Sequence, residues 1–81
     1  MKFTYVYILQ SEIAPETHYT GITGNLQARL VKHNEGGVSH TKKFRPWRIK
    51  TALAFSEPQR ALDFEQYLKS GSGRAFAKKR L

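Results

Sequence analysis

Apolar positions along the chain recur first with the period of a strand and later with that of a helix, and the switch sorts the sequence into elements. Phe3 to Gln10 (FTYVYILQ) is dense in aromatic and β-branched residues and predicts a strand. Its two faces, Phe3/Tyr5/Tyr7/Leu9 and Thr4/Val6/Ile8, are both largely apolar, as in a central strand covered on both sides. The polar, proline-containing stretch Ser11 to Thr17 predicts a turn or short loop. His18 to Thr23 (HYTGIT) predicts a second short strand, the hairpin partner of the first. Gly24-Asn25 breaks that strand, and Asn25 can cap a helix running to about Asn34, with Leu26 and Leu30 as its core stripe. Gly36-Gly37 stops this helix. Residues 38–48 (VSHTKKFRPWR) predict a basic loop with aromatic interruptions. Ile49 to Phe55 (IKTALAF) alternates, which predicts a third strand with Ile49, Thr51, Leu53 and Phe55 on one side. Ser56 and Gln59 have capping-box spacing for a second helix to about Lys69, with Ala61, Leu62, Leu68 and one of Phe64 or Tyr67 facing inward. Gly71-Ser72-Gly73 ends that helix, and a short basic helix, Arg74 to Leu81, follows. The order β-β-α-β-α-α predicts an α+β fold: a three-stranded antiparallel sheet flanked by helices.

Length and composition narrow the class. A chain of 81 residues suits one domain, residues 1–81, because a split would leave two pieces too small to bury useful cores. The absence of cysteine excludes a disulfide framework, a thiolate zinc site and a cysteine nucleophile together. The 14 Lys and Arg against 6 Asp and Glu give a net charge of +8, which attracts polyanions through counterion release. Thirteen of these cations lie in residues 29–81, and only Lys2 precedes them. No long apolar span or amphipathic anchor suggests a membrane, and no apolar leader marks the start, so a cytoplasmic protein is the default expectation. Lys42, Lys43, Arg45, Arg48 and Lys50 cluster around Phe44 and Trp47, a composition suited to backbone contacts plus base stacking. Trp47, just after Pro46, equally suits a core anchor at the entry to the third strand.

Five polar residues stand where they can converge. Tyr7 is near the middle of the first strand and Tyr19 lies in its hairpin neighbour. Arg29 and His33 are four apart on the first helix and share a face. Glu65 sits between Ala61 and Leu68 on the inner face of the second helix, where a carboxylate is costly unless a cation satisfies it. Taken singly, each has a plainer role: a core tyrosine, a solvated arginine, a histidine complementing a helix dipole, a surface Glu–Lys pair. Their joint order and spacing carry more weight.

That ordered set resembles the GIY-YIG nuclease superfamily, and in particular its small, stand-alone bacterial members. The first motif strand is Tyr5-Val6-Tyr7 and the second Tyr19-Thr20-Gly21; Arg29 follows Tyr19 by ten residues and His33 by fourteen. The run Tyr67-Leu68-Lys69-Ser70-Gly71-Ser72-Gly73-Arg74 is similar to the C-terminal signature of the small bacterial group. The glycine of the first motif is replaced by Tyr5, the isoleucine of the second by Thr20, and Ile22 stands where some repair nucleases carry a lysine.

The resemblance implies a metal-dependent endonuclease that hydrolyses phosphodiester bonds, of DNA in preference to RNA. Tyr7, Tyr19, Arg29, His33 and Glu65 would be its catalytic residues, with Glu65 holding one Mg²⁺ or Mn²⁺. In related enzymes the tyrosine at the position of Tyr19 activates the attacking water. A phenol is only about 0.1% ionised at pH 7, so cations must favour the phenolate. Arg29 and the metal would supply them, and Arg29 would also grip a phosphate oxygen. Gly21 would let backbone approach the site closely. Lys42, Lys43, Arg45, Arg48, Lys69, Arg74, Lys78 and Lys79 are the candidate nucleic-acid contacts. The alternative expectation is a nucleic-acid-binding module with weak or no turnover, or one that needs a protein partner for targeting.

Overall fold

The computed structural model describes residues 2–81 and contains β1 (Thr4–Ser11), β2 (His18–Thr23), α1 (Leu26–Asn34), a 3₁₀ turn (Lys42–Phe44), β3 (Trp47–Phe55), α2 (Pro58–Leu68) and α3 (Gly71–Arg80). The three strands form one antiparallel sheet in the order β2-β1-β3, the expected α+β arrangement. As the run of apolar residues on both its faces requires, β1 is the central strand. Val6 and Ile8 pack with Ala61 and Leu68 of α2, and with Ala77 and Leu81 at the end of the chain. Tyr7 and Leu9, on the opposite face, pack with Trp47 and with Leu26 and Leu30 of α1. Among the described residues no helix is long and apolar enough to cross a membrane.

The strict alternation expected for β3 is interrupted. Ile8 pairs with Thr51 but Leu9 pairs with Ile49, so Lys50 is an extra residue, a β-bulge. Neighbours on β1 point to opposite faces, and their partners follow. Ile49 therefore joins Trp47 on the α1 face, while the Thr51 hydroxyl bonds the Leu81 carbonyl (3.1 Å) on the α3 face.

The ends of α1 are built as expected. The Asn25 side chain accepts the Ala28 N–H at 3.1 Å. At the other end, Gly36 (φ +80°) and Gly37 donate to the His33 and Lys32 carbonyls, a Schellman closure that needs a left-handed residue. The start of α2 differs from the capping box. Glu57 is the N-cap and makes no side-chain capping bond; Pro58, the first helical residue, has no N–H to satisfy, and Gln59 bonds Asp63 instead. The inward stripe of α2 is Ala61, Glu65 and Leu68, while Leu62 is 39% exposed.

The glycine run after α2 does not end helical structure but begins α3. Ser70 caps it by accepting the Gly73 N–H at 3.1 Å. A Cβ at Gly73 would run into the Tyr67 carbonyl and come within 2.7 Å of the Leu68 Cα, so glycine is what lets the α2 and α3 backbones touch. Trp47 is a core residue, 3% exposed, with its indole N–H bonded to the Thr41 carbonyl at 2.8 Å, and is therefore no platform for stacking a base.

Candidate active site

The polar residues of the α1 face form one continuous chain of hydrogen bonds. Tyr7 reaches inward from β1, and its hydroxyl lies 2.9 Å from His33 Nε2. His33 Nδ1 lies 2.7 Å from the Thr41 hydroxyl, which is itself 3.3 Å from the Val38 carbonyl. At the outer end, Arg29 Nε donates to the Tyr7 hydroxyl over 3.4 Å. Tyr7, His33 and Thr41 are each 1% exposed or less. The local sequence explains the arrangement: the four-residue step from Arg29 to His33 aims both side chains at β1, and the Schellman closure turns the chain back so that Thr41 reaches the far side of the imidazole. Gly21 pairs with Tyr7 across the hairpin, and a Cβ there would collide with the Tyr7 hydroxyl. Its hydrogen leaves the space the phenol occupies.

Tyr19, one strand over, packs its ring 5.0 Å from that of His33 and 6.4 Å from that of Tyr7. Arg29 therefore stands between two phenols. Its guanidinium is held above its ordinary pKa, chiefly by the bond to Tyr7, with smaller help from Tyr19. Glu65 arrives from α2 as a buried carboxylate, 8% exposed, ion-paired with Lys69 at 2.6 Å. The pair has the ordinary i, i+4 spacing, but its acidic member is not at the surface. Lys69 is held above its usual pKa by this bond first, and then by the nearby phenols Tyr19 and Tyr7. Through Lys69, Glu65 shares the electrostatic neighbourhood of both tyrosines.

Burial sets the proton positions. It raises the pKa of Tyr7 against the opposing bond and charge of Arg29, so the phenol stays protonated. It lowers that of His33, with the Arg29 charge adding to the effect, so the imidazole is neutral at pH 7 and carries a single N–H. Two arrangements then satisfy the chain. In one, His33 Nδ1–H donates to Thr41 and Tyr7 donates inward to Nε2. In the other, Thr41 donates to Nδ1, Nε2–H donates to Tyr7, and the phenolic proton points out of the core. Both arrangements carry the same number of protons and no net charge, so the set is neutral either way, and gaining or losing a proton there would bury a charge.

The donor set at Glu65 suits a hard, hydrated cation. Among the described residues no group of three or more His, Cys, Asp or Glu side chains gathers to hold a metal, and the carboxylate oxygen not bonded by Lys69 has no protein hydrogen bond. One carboxylate with a free oxygen fits Mg²⁺ or Mn²⁺, which keep most of their water, and does not fit the closed nitrogen and sulfur shell of zinc.

The candidate nucleic-acid cations fall into two groups. Lys69, Arg74 and Lys78 line a cavity of about 800 Å³ that also includes Tyr19. Lys42, Lys43 and Arg45 lie on the segment that packs against the α1 side of the sheet, where Lys43 stands 5.8 Å over the Phe44 ring. Arg48 bonds the Gln10 side chain at 2.6 Å, and Lys79 is exposed on α3. Two residues enter the picture from the structure alone. Thr41 anchors the hydrogen-bond chain, and nothing in VSHTKKFRPWR distinguishes it from any loop threonine. Lys50 belongs to the cavity rather than the basic loop, because of the bulge.

Comparison with known proteins agrees with this fold. Residues 3–80 match the family described as the GIY-YIG catalytic domain. The chain is 42% identical over 74 residues to the structure-specific endonuclease subunit SLX1 of Debaryomyces hansenii, covering 82% of this chain and 21% of that protein. It is 36% identical over 69 residues to a UPF0213 protein of Staphylococcus haemolyticus, covering 84% of this chain and 82% of that one. A UPF0213 protein of Syntrophus aciditrophicus is 45% identical over 51 residues, covering 60% of this chain and 56% of its own length. The chain thus spans about a fifth of the SLX1 relatives and about half of the Syntrophus protein.

Proposed function

Because the chain belongs to the GIY-YIG family, we propose that it is an endonuclease that hydrolyses phosphodiester bonds of DNA, with Tyr19 assisting the attacking water and Glu65 holding one Mg²⁺ or Mn²⁺. The single observation that carries this reading is the hydrogen-bonded set Arg29–Tyr7–His33–Thr41 with the Tyr19 ring against it. A phosphate entering beside Arg29 meets its remaining guanidinium N–H groups, which can bind a nonbridging oxygen bidentately. Tyr19 relays a proton from the water as its oxygen attacks phosphorus, taking that proton on its hydroxyl oxygen while its own phenolic proton passes to solvent, with the Arg29 and Lys69 charges beside it. Tyr7 donates its phenolic proton to the departing oxygen, Arg29 bonded to its oxygen offsets the charge left behind, and a proton from solvent restores it. Glu65 would hold the divalent cation, which when bound would supply Lewis-acid charge beside the phosphate.

The decisive experiment is a cleavage panel in Mg²⁺ and Mn²⁺ on parent, Tyr19→Phe and Glu65→Ala. Tyr19→Phe removes one oxygen, and cleavage is expected to fall by about 10²–10⁴-fold while DNA binding persists. Glu65→Ala should lose metal-dependent cleavage as well. Parent-like cleavage by both variants would end the mechanism. The SLX1 relatives, each named as a subunit of a structure-specific endonuclease, support a DNA of defined shape as substrate and a partner chain for targeting. One observation favours a second reading, a binding module without turnover: Lys69 already neutralises the Glu65 carboxylate. Salt-sensitive DNA binding with no metal-dependent cleavage on duplex, single-stranded and branched DNA would select it.

A further inference from the structure

The cavity beside Tyr19 lies on the α3 face of the sheet, and the bulge at Lys50 accounts for it. Beyond Thr51, β3 sends its apolar side chains, Ile49 and Trp47, to the α1 face. The α3 face past Ile8 is thus left without apolar cover from that strand. What remains is a concave space of about 800 Å³, within the usual range of small-ligand sites. Its floor is apolar, from Ile8, Leu68 and Ala77. Its rim is mainly cationic: Lys50, Lys69, Arg74 and Lys78 line it against the one carboxylate of Glu16, and among the described residues only Lys69 is ion-paired, with Glu65. One wall is β2, where His18 and Thr20 face the cavity and make no side-chain hydrogen bond to other described residues, while Tyr19 between them turns its ring to the α1 face.

We infer that this cavity takes one unpaired nucleotide next to the scissile phosphate, so that the preferred substrate carries an unstacked base at the cut. The inference rests on the nuclease reading above and adds the substrate class. A duplex backbone would use the cationic rim and leave the apolar floor empty. An unpaired nucleotide uses both, its base against Ile8, Leu68 and Ala77 and its phosphate between Lys50, Arg74 and Lys78. Thr20 and His18 face the base edge with unused hydrogen-bonding capacity, and Tyr19 stands where the neighbouring phosphate follows.

Binding of the full chain in EDTA, where no metal-dependent cutting occurs, tests this by fluorescence anisotropy with three labelled DNA duplexes. One is fully paired, one has a single unpaired thymidine, and one has an abasic residue at that same position. The thymidine probe is expected to bind about tenfold tighter than the abasic probe, the scale of one stacked or buried base. In Ala77→Leu, which fills the floor, that difference should vanish. Equal binding of the thymidine and abasic probes by the parent, or an undiminished difference in Ala77→Leu, overturns the pocket and leaves the nuclease reading to the Tyr19→Phe panel. The parent comparison needs no variant to fold. Failure to bind any of the three probes at low salt overturns both.

Discussion

Val6 and Ile8 on one face of β1, and Tyr7 and Leu9 on the other, are buried to nearly the same depth in apolar clusters, but only the second face adds a network of hydrogen bonds. The α2/α3 face is closed by aliphatic and aromatic contacts, which are non-directional and tolerate a poorly filled region at their margin. The α1 face contains a phenol, an imidazole, a threonine hydroxyl and an indole N–H, and each is bonded. Among the described residues no buried side-chain nitrogen or oxygen lacks a partner. Hydrogen bonds constrain angle as well as distance, so this face fixes the orientation of Tyr7 and Arg29 in a way apolar packing cannot. The difference teaches how 81 residues can hold a candidate site in place: apolar packing closes both sides of the strand, and hydrogen bonds add direction on one of them.

The comparison breaks if the two faces respond alike to truncation. The largest expected effect is on the apolar side. Leu68→Ala should cost about 2–5 kcal/mol through lost transfer energy and the cavity left behind. Its melting midpoint should fall by about 10 °C or more, read by circular dichroism. On the polar side, Tyr7→Phe keeps the ring and removes one oxygen, leaving His33 Nε2 and Arg29 Nε without their partner. A smaller stability loss, about 1–3 kcal/mol, is expected together with a fall in cleavage of about 10²-fold or more. A Tyr7→Phe protein that is less stable than Leu68→Ala yet cleaves like the parent would reverse the assignment of roles.

Local chemistry makes part of this division legible in the sequence. The doubly apolar pattern of FTYVYILQ places β1 at the centre, Asn25 and Gly36-Gly37 bound α1 on both sides, and the four-residue step from Arg29 to His33 puts both on one face. Ala61, Glu65 and Leu68 share a helical stripe, which marks the carboxylate as buried. What stays hidden depends on contacts distant in sequence. The alternation of IKTALAF is perfect on paper, and only pairing with Leu9 reveals that Lys50 is extra. Gly71-Ser72-Gly73 reads as a stop because glycine is a poor helix former, but the approach of α3 to the α2 backbone overrides that preference. Leu62 looks as apolar as Leu68 and differs from it only in which side of α2 it occupies. Thr41 acquires a role only because His33, eight residues earlier, turns its second nitrogen toward it.

Proton linkage gives the smallest effect and the most selective one, because the apolar cluster has no titratable member. His33 is held below its ordinary pKa by burial first and by the Arg29 charge second. The unfolded chain therefore binds a proton at His33 more readily than the folded one. The sign follows: the contribution of this residue to stability is complete above its unfolded pKa of about 6.5 and is lost as pH falls from there through the folded value. One proton limits the slope to about 1.4 kcal/mol per pH unit. Urea unfolding of the parent between pH 7.5 and 5 should show stability declining over that window. His33→Gln, which retains polar atoms but cannot titrate, should be less stable at pH 7.5 and show a flatter decline. Identical slopes in the two proteins would mean that protonating His33 costs the folded α1 face nothing, and that the imidazole is not locked between Tyr7 and Thr41 in solution.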